Sequence, residues 1–371
     1  METIVKGLLI VLVVVVMYQC EKDNEYKITD DKFLNALIEQ GFDTNGDGKI
    51  SPNEAEVITY LDVSEDSIAD MTGIETFVNL DTLICWGNQL TNLNISNNIA
   101  LIYLMCWKNQ ITKLDVSNNY NLKRLDCANN QLTTLDVSKN ILLERLFCEE
   151  NHLTTLDVSK NTSLIACFCF SNKLNTLDVS NNSALRSLMV SSNQLTQINV
   201  SNNIKLEILY CADNKITFLD VSNNPELTQL YCSNNPLLNL DVSNNLALLT
   251  LRCNNCQLTE LDVSINTLLQ ELQCSENQLT TLDITNNNGL MIIYCSGNQL
   301  TTLDLSNNTV LGLMGHWCFN DLDISGMPAL SKVCVWVVPF PPPPISPEDC
   351  YKVLIKTDRS PNVYFTTDCS K

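Results

Sequence analysis

Basic residues are scarce in this chain: 22 Lys and Arg stand against 42 Asp and Glu, a formal net charge of −20 over 371 residues. Binding of nucleic acid needs Lys and Arg concentrated against phosphate, so the imbalance excludes that class of partner. It argues equally against docking on an anionic membrane surface. Histidine is rarer still. Only His152 and His316 occur, which leaves imidazole acid–base chemistry almost without candidates. No nucleophile–base arrangement stands out, and the expectation is a protein that is not an enzyme. Cysteine is the opposite case, with 17 residues.

The chain also lacks an early apolar run long enough to span a bilayer. The stretch Gly7–Met17 follows Lys6 and is about half of the roughly 20 residues that a spanning helix needs. It fits the apolar region of an export signal over 1–19. Cys20 comes directly after it, followed by the polar stretch Glu21-Lys22-Asp23-Asn24-Glu25. The segment resembles a bacterial lipoprotein signal and the acidic export signal of surface lipoproteins in the Bacteroidetes group. That resemblance implies acylation of Cys20, a linker over 20–28, and a protein held to the outer membrane or cell surface by lipid alone. Met17-Tyr18-Gln19 departs from the small-residue box expected before the cysteine.

Residues 43–54 read Asp-Thr-Asn-Gly-Asp-Gly-Lys-Ile-Ser-Pro-Asn-Glu. A twelve-residue calcium loop needs oxygen ligands at positions 1, 3, 5, 7, 9 and 12 and glycine at 6. Asp43, Asn45, Asp47, the Lys49 carbonyl, Ser51 and Glu54 fill those positions, and Gly48 supplies the turn. Thr29 or Asp30 can cap an entering helix, on which Phe33, Leu34, Leu37 and Ile38 recur at helical spacing. Ala55, Val57, Ile58 and Leu61 suggest an exiting helix. The pattern is that of one EF-hand over 29–61. No second loop is present to pair with it, so its apolar faces are expected to cover the next element of the chain. The ion expected is Ca²⁺ in a structural role.

A 21-residue period governs most of the remaining chain. From Cys85, steps of 21 reach cysteine at 106, 127, 148, 169, 211, 232, 253, 274 and 295, with Val190 as the one break. Leucine recurs from Leu80 to Leu311 and asparagine from Asn98 to Asn308 without exception. One unit, starting at Leu122, reads Leu-Lys-Arg-Leu-Asp-Cys-Ala-Asn-Asn-Gln-Leu-Thr-Thr-Leu-Asp-Val-Ser-Lys-Asn. This resembles the leucine-rich repeat, with cysteine at the third leucine, and is similar to the internalin type and to "NQLTTLDVS" repeats of Bacteroidetes surface proteins. The resemblance covers about 68–322. It implies a solenoid with a curved parallel β-sheet of about 12 rungs, a mostly non-helical convex side, a small helical cap in front and a β-type cap behind. The physics agrees: a 21-residue unit cannot bury its leucines alone, but stacking makes one core. The expected order is repeats over 62–322 and a cap with a proline-rich loop over 323–371.

Two columns look chemical and are expected to be structural. Neighbouring rungs hold parallel side chains about 4.8 Å apart, whereas a disulfide needs Cβ atoms at about 3.8 Å with converging vectors. The cysteines are therefore read as small apolar core residues, and Cys253 and Cys256 as members of the scaffold. The Asp115, Asp136, Asp157 and Asp178 column is read as accepting turn N–H groups. The buried asparagines at Asn88, Asn109 and Asn130 are read as satisfying backbone where the chain leaves each strand.

Information lies in the positions that vary. On the strand face these include Trp86, Tyr103, Met105 and Trp107 near the front, and Phe147, Phe168, Phe170, Met189, Tyr210 and Tyr231 in the middle. Large apolar and aromatic side chains on an exposed face suggest recognition of a protein partner. They suit a glycan as well, and aromatic cross-strand pairs also stabilise sheets without any ligand. The repeat loses phase after Leu311. His316-Trp317-Cys318 replaces the core cysteine segment, Val333–Val338 and Asn362–Thr367 read as closing strands, and Pro339–Pro347 breaks regular structure. Cys334, Cys350 and Cys369 can form one disulfide, with Cys350–Cys369 the pair favoured.

Overall fold

The computed structural model describes residues 28–311, 321–337, 355–360 and 362–369. The signal segment 1–19, Cys20, His316-Trp317-Cys318, the proline cluster and Cys350 lie outside the described residues. The chain divides into two compact units, unit 1 ending at Leu153 and unit 2 beginning at Thr154.

Unit 1 opens with helix α1 (Asp31–Glu39), which starts where Asp30 caps it. Asp30 Oδ1 accepts the backbone N–H groups of Lys32 and Phe33, at 2.8 and 3.2 Å. Its other oxygen accepts the N–H groups of Ala69 and Asp70, at 2.8 and 3.0 Å. One carboxylate thus caps the helix and ties it to the first turn of the repeats. The helix buries Phe33, Ala36 and Leu37, and the Phe33 ring lies 6.4 Å from that of Phe77. The helix thus packs against the first turn of the repeats. Helix α2 (Pro52–Glu56) is only five residues long. It has Pro52 at its first position and a reciprocal Ser51–Glu54 capping box. The expected exiting helix is therefore cut short. Val57 is 76% exposed, and Leu61 belongs to strand β1 (Tyr60–Asp62). The chain leaves α2 early because burying Leu61 in the first rung fixes it as strand.

Four further strands follow in unit 1: β2 (Thr82–Ile84), β3 (Tyr103–Met105), β4 (Arg124–Asp126) and β5 (Arg145–Phe147), parallel and in chain order. Leu61, Leu83, Leu104, Leu125 and Leu146 face one another in register. In a three-residue strand only the middle side chain points inward, and each of these leucines is fully buried. Full burial of a leucine contributes about 1.5–3 kcal/mol. The cysteine column stands beside them, buried throughout.

Unit 2 repeats the plan in β6 (Ala166–Phe168), β7 (Ser187–Met189), β8 (Ile208–Tyr210), β9 (Gln229–Tyr231), β10 (Thr250–Arg252), β11 (Glu271–Gln273) and β12 (Ile292–Tyr294). Its tail differs from expectation. After β13 (Thr302–Asp304), β14 (Leu322–Asp323) joins the main sheet beside β12, and β16 (Ile355–Lys356) joins beside β14. The main sheet therefore runs past 322. The Leu-Asp segment, which in earlier rungs lies away from the sheet, enters it here. β13 pairs instead with β15 (Lys332–Cys334) and then β17 (Tyr364–Thr366) in a separate three-stranded sheet. The closing strands foreseen near 333 and 362 are present but belong to this side sheet. Cys334 bonds to Cys369, with Cα atoms 5.5 Å apart. That corrects the favoured Cys350–Cys369 pair: strands β15 and β17 lie side by side and bring Cys334 and Cys369 within bonding range.

Two asparagine ladders replace helices between strands, and among the described residues α-helix is confined to α1 and α2. In the first ladder, Asn109 Oδ1 accepts the Leu90 N–H at 3.0 Å while its amide nitrogen donates to the carbonyls of Cys85 and Cys106. In the second, Asn119 donates to the carbonyls of Ile95 and Asn98, the latter 21 residues earlier. Between strand and first ladder the chain passes through a left-handed residue on each rung. Glu65 and Gly326 hold this place on the rungs of β1 and β14, Gly87 and Gly297 next inside them, and Lys108, Asn129, Glu150, Ser171, Ser192 and their equivalents between, the last group with φ near +50 to +57°.

Candidate binding face and calcium loop

With the middle residue of each strand buried, its two neighbours stand on the open face. In unit 1 the register aligns Ile84, Met105, Asp126 and Phe147 in one column, and Thr82, Tyr103, Arg124 and Arg145 in another. Tyr103 is 40% exposed, and Met105 and Phe147 are half-buried. Beyond the strands, Trp86 and Trp107 stack with centroids 4.6 Å apart and planes within 10°. The Arg124 guanidinium lies 5.0 Å over the Phe147 ring and 3.4 Å from Asp126. Burial raises the Asp126 carboxyl above its ordinary range, against the pull of Arg124. Burial, with the charges of Asp126 and Glu150, pushes Glu149 up to about 7. Asp126 falls in the varied strand-face column that the sequence already shows, and Glu149 takes the position of Trp86 and Trp107 two rungs on.

In unit 2 the corresponding column reads Phe168, Met189, Tyr210, Tyr231, Arg252, Gln273 and Tyr294. Phe168, Phe170 and Met189 are half-buried. Tyr210 and Tyr231 stack at 3.9 Å with planes within 3°. Arg252 lies 4.2 Å over Tyr231 and donates from Nε to Glu271 at 2.7 Å. Gln273 donates to the same Glu271 oxygen, Asn254 donates to Gln273, and the Tyr210 hydroxyl donates to Gln229. Burial raises the Tyr210 hydroxyl, so it stays protonated. Arg252 and Gln273 continue the varied column that the sequence already shows, and Glu271 and Asn254 lie at its other outward positions. The bonds among them run diagonally, since a side chain on one strand reaches the neighbouring rung two positions over.

The front loop gathers its oxygens around a tight turn. Asp43 Oδ1 accepts the N–H groups of Gly46 and Asp47, and Oδ2 accepts that of Gly48 at 2.9 Å. Asn45 and Asp47 each accept a backbone N–H two residues on. Glu54 closes the loop from α2: Oε1 accepts from the backbone and hydroxyl of Thr44 at 2.7 Å, and Oε2 accepts from the backbone and hydroxyl of Ser51. These bonds, that from the Ser51 backbone foremost, lower the Glu54 carboxyl to about 2, so it is ionised at any neutral pH. Gly46 and Gly48 take φ +74° and +76°, and a Cβ at either would meet nothing within 4 Å. The donors are all hard oxygens from one loop, which is the chemistry Ca²⁺ takes. Asp43, Asn45, Asp47, Ser51, Glu54 and the Lys49 carbonyl fit such an ion.

The other columns are occupied with backbone. Asp115, Asp136 and Asp178 each accept the N–H two residues on, at 2.8–2.9 Å. Asn94 and Asn199 take the same bond where the aspartate is missing. Burial pushes the thiols of Cys85, Cys211 and Cys274 up to about 12, where they remain protonated. Cys256 stands where other rungs carry the ladder asparagine, and its thiol donates to the carbonyl of Cys232 at 3.3 Å. Among the described residues, the group of His, Cys, Asp and Glu atoms close enough to hold a metal is Asp304, Cys334 and Cys369, and its two sulfurs form the disulfide.

Short parallel strands, a one-sided leucine and cysteine core and asparagine-ladder connections define a leucine-rich-repeat solenoid. No protein-family model matches the chain. Over 69 residues it is 39% identical to Internalin J of Listeria monocytogenes, an alignment that spans 19% of this chain and 7% of that protein. The solved functional domain of InlJ from Listeria monocytogenes, which includes a cysteine ladder, matches with TM-score 0.62 and 34% identity, over 82% of this chain and 74% of that one. The internalin inlF of the same species matches with TM-score 0.69 over 92% of this chain and 96% of that one. Its 21% identity shows the fold alone. The chain belongs to the internalin family of leucine-rich-repeat proteins, and what it matches is a small part of the curated relative's length.

Proposed function

We propose that this is an exported, non-catalytic binding protein that holds a protein partner on the open face of its strands. The observation that carries this reading is the pairing of constant scaffold with varied, large, half-exposed side chains at the positions facing outward. A glycan is the weaker reading for a geometric reason. Trp86 covers Trp107 and Tyr210 covers Tyr231, so ring faces that would stack on sugars lie against each other and the edges face out. Edges and thioethers suit protein side chains. The test is capture from host and bacterial extracts by residues 21–371 in calcium, compared with Trp86→Ala/Trp107→Ala and Tyr210→Ala/Tyr231→Ala variants. A partner held by the parent and lost by a folded variant supports the face. Equal recovery from all, or none from any, removes it.

Two further parts belong to this reading. Ca²⁺ binds the 43–54 loop through Asp43, Asn45, Asp47, Lys49, Ser51 and Glu54, and fixes α1 and α2 on the first rung. Calorimetric titration of the chain and of Asp43→Asn/Glu54→Gln tests it, and equal heats from both would refute it. Cys20 carries the lipid that holds the chain at the cell surface. Loss of membrane fractionation on Cys20→Ser tests that, and unchanged fractionation would refute it.

A further inference from the structure

Unit 1 carries an apolar stripe away from its strand face. Val78, Ile99, Tyr120 and Ile141 occupy one position of four successive repeats and are 39%, 57%, 55% and 57% exposed, with Leu142 beside the last at 43%. They contribute nothing to the core and lie outside the strands. Successive rungs place them about 4.8 Å apart, a line some 14 Å long. Contiguous exposed apolar surface of this kind marks a contact.

Three observations say what covers it. The first is charge. In a chain with 42 carboxylates, none occurs from two residues before to two residues after any of the four. Their neighbours are Asn79, Asn97, Asn118 and Asn121, with Lys139 beside the last. The second is the tether. The described chain begins at Ile28, which sits so close to the turn at Gly73 that a Cβ there would come within 2.7 Å of the Ile28 side chain. Thr29 and Asp30 then bond to Asp70 and Ala69. Val78 lies five residues beyond Gly73. Seven residues separate Cys20 from Ile28 and reach at most about 28 Å. The third is the limit of the stripe. At the same position unit 2 carries Thr162, Ser183, Pro225, Thr267 and Asn288, so no run of four recurs. Ile204 stands alone there, and Leu246 groups with the exposed Ile265 and Leu268 of the next repeat.

We infer that the Val78–Ile99–Tyr120–Ile141 stripe rests on the lipid surface to which Cys20 is tethered, at the level of neutral headgroups. This rests on the lipid-anchor reading of Cys20. A tyrosine among aliphatic side chains, flanked by amides and a lysine, suits that boundary, where amphipathic rings settle. The contact sets orientation: one edge of unit 1 lies down, and the strand face stands clear for a partner.

The test uses the acylated full chain in phosphatidylcholine vesicles, with Tyr120→Trp and Ser183→Trp as probes in the two units. Flotation reads the anchor, and quenching by brominated phosphatidylcholine reads the contact. Quenching at 120 at least about twofold stronger than at 183 supports the stripe. A chain that floats with equal, weak quenching at both sites overturns the stripe and leaves the anchor standing. A chain that does not float overturns both. Sedimentation of the unacylated chain as a dimer, reversed by Tyr120→Ser, would assign the stripe to a second copy and overturn the lipid contact.

Discussion

The strand faces of the two units share one repeat and carry different chemistry. In unit 1 a tryptophan pair stands beside carboxyls that burial has pushed upward, Asp126 and Glu149. In unit 2 a tyrosine pair is closed by its own network, with Arg252 over one ring and held by Glu271. A network whose donors and acceptors already meet each other has less to offer a ligand and resists rearrangement. The unit 1 face thus carries carboxyls whose titration burial shifts upward, and the unit 2 face a network closed on itself.

Trp86→Ala/Trp107→Ala should weaken a captured partner by roughly 100-fold, on the scale of an aromatic hot spot. Tyr210→Ala/Tyr231→Ala should cost clearly less, because Arg252 and Glu271 keep their bond. Surface plasmon resonance with that partner reads both, and a larger loss in unit 2 would reverse the assignment. Calcium comes next. Saturation at 100 times the dissociation constant adds about 2.7 kcal/mol to the state that binds it. Chelation should lower hydrogen-exchange protection in α1, β1 and β2 and leave β8–β12 unchanged. A uniform loss across both units, or none, would contradict a cap confined to the front.

Glu149 sharpens the contrast through pH. Its folded value of about 7 lies above the ordinary 4.5, so the folded chain keeps a proton that the unfolded chain releases. Stability from this group is full below about pH 4.5 and is lost as pH rises toward 7. Discounted for its partial exposure, the change is on the order of 1–2 kcal/mol. Glu149→Gln should match the parent in urea melts at pH 4.5 and exceed it at pH 8; parallel curves would refute the account. The smallest effect lies in unit 2. Cys256→Asn should restore two carbonyl bonds of the first ladder, as Asn235 and Asn277 make them, and raise stability by about 1 kcal/mol. Urea melts check this too, and a loss would mean that the rung is shaped around the thiol.

The repeats were legible in the sequence because one column fixes the next. Once Leu80 and Cys85 are seen to recur, strand, core and open face follow from period and alternation. The twelve-residue pattern of oxygen-bearing positions from Asp43 to Glu54 was equally plain, since it lies within one short stretch. The hidden features depended on contacts that no period encodes. The left-handed column at Lys108, Asn129 and Glu150 escaped notice because a single non-glycine residue bears that conformation for about 1–2 kcal/mol, given a rung to hold it. The second asparagine ladder was seen to recur at Asn98 and Asn308, but not what it bonds. The tail departed furthest: with the period lost, nothing in the sequence distinguished Cys334 from Cys350 as the partner of Cys369. The aromatics were found and cross-strand pairing among them was foreseen; which rings pair, Trp86 with Trp107 and Tyr210 with Tyr231, was not.

Hydroxyl-radical footprinting of the chain with its captured partner maps which rings the partner covers. Protection of Trp86 and Trp107 above all, with lesser protection of Tyr210 and Tyr231 and none at Phe218, is the result expected of a partner on the strand face. Oxidation of those four rings at the rate of the free protein, with protection at Phe218 or elsewhere off the strands, would contradict it.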